Sequence, residues 1–322
     1  MRFLISILMV ARVFSISATE PDFLPGRRVL LDAHNCYPYD GQWADRIERA
    51  LKNGMPLAME PDLAWYTDPA TGKSWSIVTH GEPYSGKEPT LESYFFERIR
   101  PVVEAALANG DRRHWPLITL NLDFKSNEPE HLSAIWQVLG KYESWLTTSE
   151  RVADESRVMP LDVRPVLVLT GTSNDQQRVF FDQVPIGGKL RLFGAAPPLR
   201  LERGISPATI APDKLMTFRA SNYRRWWNNP WAVVEQGGQR EAGSWTPAEN
   251  ARLRALVARA HELGLWIRFY TLNGHDAKDS LGWSEGYNFG SAESVRIRWR
   301  AAIQAGVDFV ATDQYESFAQ FR

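Results

Sequence analysis

The amino-acid sequence predicts a (β/α)8 barrel, and three observations support this fold class. From residue 28 onward, strand-like runs alternate with helical patterns about eight times, as in a barrel of roughly 250 residues or more. The strand-like runs are apolar, as expected of parallel strands that helices cover on their outer side. The first run continues into DAHNCYPYDG, which lacks the glycine-rich phosphate loop that would favour the alternative, an open doubly wound sheet.

Strands are predicted where short apolar runs are bounded by turn residues, and helices where apolar residues recur every three to four positions. Gly54 ends the first helix in the usual C-terminal manner, and Pro101 could kink or break the second. The predicted strands are residues 28–34, 56–65, 116–125, 164–172, 188–196, 214–221, 265–273 and 308–314. The predicted helices are residues 43–54, 90–110, 128–146, 174–184, 246–264 and 291–306.

Two segments stand outside this alternation. The turn DPATGK is followed by WSIVTH, which predicts a hairpin whose returning arm ends at His80. The segment NYRRWWNNPW, residues 222–231, combines Arg224 and Arg225 with three tryptophans. We interpret it as a packed surface loop, with a loop that recognises a headgroup or a lipid interface as the alternative.

Composition bounds the possible functions. The chain has 322 residues, of which 44% are hydrophobic and 23% charged, so it can bury a large core. A formal net charge of −1 gives no electrostatic reason to expect a nucleic acid as partner. Cys36 is the only cysteine, which excludes an internal disulfide.

The N-terminus predicts export. Residues 1–18 resemble a signal peptide, since an apolar stretch follows Arg2 and ends in small residues near Ala18. Arg12 interrupts this stretch, so an uncleaved leader or a short membrane anchor is the alternative. We therefore expect a secreted or periplasmic protein whose residues 28–322 form a single barrel domain.

Polar residues gather where the early strands end, and in a barrel these ends converge on one mouth. His34 and Asn35 end the first strand, and His80 ends the hairpin. Glu60 and Asp62 lie two positions apart in the second strand, where alternation places them on the same face. The third strand ends in a pair with the same spacing, Asp123 and Lys125.

Three carboxylates in one small space repel each other unless a cation lies between them. Glu60, Asp62 and Asp123 offer the oxygen ligands that a hard divalent cation prefers, so we expect one Mg²⁺ or Ca²⁺. The alternative is a network of salt bridges, in which Asp123 and Lys125 pair with each other.

Two histidines beside a cation suit the cleavage of a phosphodiester. His34 and His80 could take a proton from an attacking hydroxyl and give one to a leaving oxygen near pH 7. The cation and Lys125 would neutralise charge on a phosphate oxygen. Each histidine taken alone also fits a structural, hydrogen-bonded role.

The order of these motifs resembles the phospholipase-C-like phosphodiesterase superfamily, which includes the glycerophosphodiester phosphodiesterases. The segment AHNCYPYDGQWADRIERALKNGMPLAMEPDLAW is most similar to the branch of the altered-inheritance-of-mitochondria type, and LNLDFKS, LWIRFYTLN and GVDFVATDQ extend the similarity. The resemblance implies a metal-dependent phosphodiesterase with His34 and His80 as acid and base. It implies the metal ligands Glu60, Asp62 and Asp123, and it matches Lys125 to the lysine after the third ligand.

The sequence departs from the patterns of these branches at three positions, one of which is Cys36 in place of the aspartate of the H-N-D-Y opening. Asn35 stands where glycerophosphodiesterases usually have arginine, and Asp123 stands where they usually have glutamate. The DFK sequence is more similar to the sphingomyelinase D branch. The phosphodiester is therefore open: the resemblance implies a glycerophosphodiester or a phospholipid headgroup ester, reached by transient contact with a membrane surface where it is a lipid.

Other residues complete the expected site. We expect Asn35, Lys125, Arg219 and Tyr270 to contact the substrate. Two alternatives to the hydrolase stay open: a sphingomyelinase D-like lyase, and a non-catalytic barrel that binds phosphate esters or glycans. Retention of both histidines and all three acids argues against the non-catalytic barrel.

Overall fold

The computed structural model describes residues 23–38, 44–237, 242–275 and 288–322. The predicted signal peptide, residues 1–18, lies outside these ranges. No helix within them combines the length and the apolar character needed to cross a membrane.

Eight parallel strands close into a barrel in the order β1, β2, β5, β8, β10, β11, β12 and β13, with β13 paired to β1. The prediction of a (β/α)8 barrel is therefore confirmed. In the described part of the chain the strands are β1 (Leu30–Ala33), β2 (Leu57–Met59), β3 (Asp62–Thr67), β4 (Ser74–Val78), β5 (Ile118–Phe124), β6 (Thr148–Glu150), β7 (Leu161–Asp162), β8 (Val166–Thr170), β9 (Lys189–Leu190), β10 (Phe193–Ala195), β11 (Arg224–Pro230), β12 (Trp266–Tyr270) and β13 (Phe309–Thr312).

Helices follow the barrel strands and cover the outside of the sheet. The helix between β10 and β11 is short, with only four residues. The helices described are α1 (Arg46–Lys52), α2 (Glu97–Asn109), α3 (Pro129–Lys141), α4 (Asn174–Gln177), α5 (Pro212–Leu215), α6 (Pro247–Glu262), α7 (Ala292–Ala305) and α8 (Tyr315–Phe321). A π-helical turn precedes α2 at Glu92–Phe96 and follows α4 at Arg178–Asp182. Short 3-10 helices lie at Arg112–His114, Glu143–Trp145, Pro207–Thr209 and Trp231–Val233.

Local sequence explains where helices begin and end. Thr246 caps α6 by accepting the backbone N–H of Glu249, whose carboxylate reaches back to the N–H of Thr246. Gly110 follows α2 and has a left-handed backbone conformation, which residues with a Cβ rarely adopt. Pro101 lies inside α2 and does not end it.

The prediction of the sixth strand was wrong. Residues 214–221 do not form a strand, whereas the tryptophan-rich segment interpreted as a loop forms β11. Trp226 and Trp227 are buried on opposite faces of that strand. The Trp226 indole N–H donates to the carbonyl of Thr170 on β8, and the Trp227 ring packs edge-on against Phe269 on β12. These tryptophans therefore fill the core and do not form a recognition loop.

The predicted second strand is divided at Pro61. Residues 57–59 form β2 of the barrel, and β3 leaves the barrel to form a hairpin with β4. Glu60 therefore follows a barrel strand, while Asp62 begins the hairpin and pairs in register with Asp123 of β5. The expectation that Glu60 and Asp62 share one face of one strand is wrong, since they belong to two elements.

Candidate functional site

A polar cavity of about 200 Å³ opens at the C-terminal ends of the barrel strands. Seven of the nine side chains predicted from the sequence line it, and Asp62 lies directly beside it, against Lys125. The seven are His34, Asn35, Glu60, His80, Asp123, Lys125 and Tyr270.

Arg219 is the exception, and its prediction as a substrate contact was wrong. It precedes β11, where its guanidinium donates to the backbone carbonyl of Glu262 at the end of α6. Because it precedes its strand, it cannot reach the mouth formed by the C-terminal strand ends. It lines a different groove, together with Phe218 and His261.

His34 follows β1 and is buried between two acids. Its Nδ1 lies 3.2 Å from Oδ1 of Asp313, and its Nε2 lies 3.4 Å from Oε2 of Glu60. Burial alone would lower the pKa of His34, but the charges of Glu60 and Asp313 outweigh it and raise the pKa to about 9. The His34 ring stacks on Tyr270, with 6.1 Å between centroids.

Asn35 adopts a left-handed backbone conformation, with φ of 53°, which asparagine tolerates better than most residues. Its amide nitrogen donates to Oδ1 of Asp313 over 2.9 Å, and its amide oxygen accepts the hydroxyl of Tyr37 over 2.9 Å. The backbone carbonyl of Asn35 accepts a bond from Arg46. These contacts fix the turn that places His34 at the mouth.

The inner cluster, which we define as Asp32, Glu60 and Arg268, lies deep in the barrel. The Arg268 guanidinium donates to both carboxylates, reaching Oε2 of Glu60 at 2.6 Å, and to Oδ1 of Asn228 at 2.9 Å. The side chains of Asp32 and Arg268 are each only 1% exposed. Burial raises the pKa of Glu60, although Arg268 and His34 oppose that rise.

The outer cluster, which we define as Asp62, Asp123 and Lys125, lies at the rim. The Lys125 ammonium is 3.0 Å from Oδ2 of Asp62 and 2.7 Å from Oδ2 of Asp123. Burial and the neighbouring Asp123 charge raise the pKa of Asp62 well above its usual value. Burial would lower the pKa of Lys125, but the two carboxylates outweigh it and raise that pKa.

His80 lies at the exposed side of the same cavity. Its ring stacks on Tyr37, with 5.8 Å between centroids. Partial burial lowers its pKa, and the positive charges of Lys125 and His34 lower it further, against the opposing charge of Asp123. The pKa values of the two histidines are therefore shifted in opposite directions, upward for His34 and downward for His80.

The carboxylate oxygens of the two clusters are suitable ligands for a divalent cation, but their positions in this structure are not. Each cluster has two carboxylates for one basic side chain, a formal charge of −1, and carboxylate oxygens are the ligands that Ca²⁺ and Mg²⁺ prefer. Within the described ranges, however, no group of three or more His, Cys, Asp or Glu side chains is positioned to hold a metal ion. Lys125 lies between Asp62 and Asp123, and Arg268 holds Glu60, so a bound cation requires these basic groups to yield.

Sequence reasoning missed several members of the site. Three of them are charged or amide residues inside apolar strands, each two positions before a residue at the mouth. Residues two positions apart in a strand lie on the same face, and this spacing was the signal that could have identified these three residues. The missed residues are Asp32 before His34, Asn121 before Asp123 and Arg268 before Tyr270, together with Asn228 in β11 and Asp313 after β13.

Comparison with known proteins adds little to this description. No family model matches the sequence, and no curated protein matches it. Among solved structures, a calcium-dependent phosphoinositol-specific phospholipase C from a Gram-negative bacterium, Pseudomonas sp., is similar, with 15% identity and a TM-score of 0.48 over 91% of this chain and 92% of that chain.

Proposed function

We propose that the protein is a metal-dependent phosphodiesterase that cleaves a glycerophosphodiester or a phospholipid headgroup ester by paired-histidine acid–base catalysis. The observation that carries this proposal is the placement of His34 and His80 in one cavity with Lys125 and acidic side chains. Proton carriers near neutral pH, together with positive charge for a phosphate oxygen, are what cleavage of a phosphodiester requires.

The contacts of the two histidines favour different roles. His34 lies between two carboxylates, which stabilise its protonated form, so it is suited to protonate the leaving oxygen. His80 is exposed and lies near Lys125, which disfavours its protonated form, so it is suited to accept the proton of the attacking hydroxyl. The Lys125 ammonium is placed to attract a phosphate oxygen at the rim.

Asp62 and Asp123 would hold the cation, with Glu60 as a third ligand. Oε2 of Glu60 is bound by Arg268, so the cation would be held through the other oxygen of this carboxylate. When bound, the cation would supply positive charge that neutralises a phosphate oxygen.

A substrate screen tests the proposal. Purified protein should cleave a member of a panel of glycerophosphodiesters and phospholipids when Ca²⁺ or Mg²⁺ is added, and phosphorus NMR identifies the phosphate product. His34→Gln and His80→Gln should each lower turnover by about 10²-fold or more, because one general acid or base typically contributes about 10²–10⁴-fold. The wild-type pH–rate profile should be bell-shaped, since one histidine must be charged and the other neutral.

The matched control is His261→Gln. His261 pairs with Asp308 and lines the separate groove, so its replacement should leave turnover within about twofold. If metal-loaded wild type cleaves no phosphodiester in the screen, the catalytic proposal fails and a phosphate-ester-binding barrel takes its place.

A further inference from the structure

We propose that Asn121 is a specificity-determining residue, whose amide forms a hydrogen bond with a hydroxyl of the alcohol headgroup on the substrate. This inference deepens the proposed function and rests on it. Asn121 lies on β5 and lines the cavity, yet the residue is only 3% exposed.

The amide nitrogen of Asn121 is buried and has no hydrogen-bond partner among the residues described. An unpaired buried amide typically costs about 1–3 kcal/mol, so such groups are rare in folded proteins. Its position on the cavity wall offers an explanation, because a ligand in the cavity can supply the missing partner. Rotation of the side chain by half a turn presents either the amide nitrogen or the amide oxygen to that ligand.

Because Asn121 lies deep in the barrel, its hydrogen-bond partner belongs to the alcohol part of the substrate and not to the phosphate. Asn121 precedes Asp123 by two residues on the same strand face, which places it about 7 Å deeper along β5. The groups suited to phosphate, Lys125 and His80, lie at the rim, where His80 is exposed. A substrate with its phosphate at the rim therefore extends its alcohol part toward Asn121.

The surrounding polar groups favour a hydroxyl as that partner. Arg268 and Asn228 also line the cavity, and Oδ1 of Asn228 accepts from Arg268, so the amide nitrogen is the group that Asn228 would offer to a ligand. A hydroxyl both donates and accepts and so matches an amide, whereas a quaternary ammonium can do neither. The cavity of about 200 Å³ is also smaller than the roughly 300–1,000 Å³ typical of drug-sized ligands, in keeping with a small headgroup.

The test compares two p-nitrophenyl phosphodiesters that differ only in hydroxyl groups, one with glycerol and one with n-propanol. Wild type should prefer the glycerol ester in kcat/KM, and Asn121→Leu should reduce that preference by about tenfold or more, because a site built to bond a hydroxyl strongly rejects its absence. Asn121→Ala provides a second variant, smaller than asparagine and without a side-chain hydrogen-bonding group, if the leucine variant does not fold. Thr119→Val is the matched control, since Thr119 is buried one layer deeper on the same strand face and does not line the cavity.

A binding experiment separates this inference from the proposed function. Calorimetric titration should show that wild type binds glycerol 3-phosphate more tightly than propyl phosphate, and that Asn121→Leu loses this difference while Thr119→Val keeps it. Loss of the difference without turnover in wild type would support hydroxyl recognition and reject catalysis. Turnover with an unchanged preference in Asn121→Leu and Asn121→Ala would overturn the role of Asn121 and leave catalysis standing. Equal binding of both phosphates by wild type, with no turnover, would overturn both.

Discussion

The inner and outer clusters have the same composition, two carboxylates and one basic side chain, but very different surroundings. In the inner cluster, Arg268 is 1% exposed and its fork is held by three acceptors. In the outer cluster, the Lys125 side chain is 24% exposed and its partner Asp123 is 45% exposed. A planar guanidinium bound on several sides is difficult to displace, whereas an ammonium is a compact charge on a flexible stem. The difference indicates that the inner cluster stabilises the barrel. In the outer cluster, by contrast, a metal ion can displace the Lys125 ammonium.

The largest expected effect is the loss of stability in Arg268→Leu. This change leaves Asp32 and Glu60 buried without their counter-ion, and breaking a buried pair in this way typically costs about 3–5 kcal/mol. Urea unfolding of the variant and the wild type measures the difference in the free energy of unfolding. Arg219→Leu, at an exposed position, is the control and should change stability by about 0.5 kcal/mol or less. Equal stabilities of Arg268→Leu and wild type would remove the structural role assigned to the inner cluster.

The outer cluster depends on the β3–β4 hairpin, and His131 attaches that hairpin to the barrel. Its ring lies between the hydroxyls of Ser76 and Ser126, at 2.9 Å and 3.0 Å, and stacks on Trp65. Burial lowers the pKa of His131 to about 4, and the opposing charge of Glu128 does not compensate. The folded protein therefore holds His131 neutral.

Lowering the pH should therefore reduce the free energy of unfolding through the protonation of His131 in the unfolded state. Between about pH 6.5 and pH 4 the unfolded state binds a proton that the folded state does not, so stability falls as the pH is lowered through this window. The full contribution is about 3.5 kcal/mol, at about 1.4 kcal/mol per pKa unit. Urea unfolding at a series of pH values should show a smaller decline in His131→Gln than in wild type. Parallel curves for the two proteins would contradict the assignment.

The next prediction concerns the site of cation binding. Added Ca²⁺ should raise the free energy of unfolding of wild type by about 2.7 kcal/mol at a hundredfold excess over its dissociation constant. Asp62→Asn should lose most of this gain, because Asp62 belongs to the outer cluster, whereas Asp32→Asn should keep it. Thermal melts with Ca²⁺ and with a chelator measure both variants. A gain that is lost in Asp32→Asn and kept in Asp62→Asn would place the cation in the inner cluster.

The sequence predicted the fold and most of the mouth for a simple physical reason. Alternation of strands and helices is a local pattern, and strand ends such as those at His34 and Asp123 follow from it directly. Opposite partners across the barrel are not local: Glu60 and Arg268 are separated by 208 positions, and no pattern near either residue specifies the pairing.

The errors have equally specific causes. Pro61 divides an apolar run that reads as one strand, and so separates Glu60 from Asp62. The tryptophans of β11 resemble a surface motif in the sequence, but neighbouring strands and helices bury both faces of that strand. For β11, tertiary packing, which single-sequence patterns do not contain, determined the result.

The smallest effect separates the two roles of Lys125. Lys125→Met changes the formal charge of the outer cluster from −1 to −2, so Ca²⁺ should bind about tenfold more tightly, a gain of about 1.4 kcal/mol. Turnover should nevertheless fall, because the variant lacks the ammonium that attracts the phosphate oxygen. Calorimetric titration with Ca²⁺ and the phosphodiester assay measure the two quantities separately. The control is Lys141→Met, which removes an exposed ammonium paired with Glu92 and should change neither. Weaker Ca²⁺ binding in Lys125→Met would show that the lysine supports the cation site, and the outer cluster would then resemble the inner one in being fixed by its basic side chain.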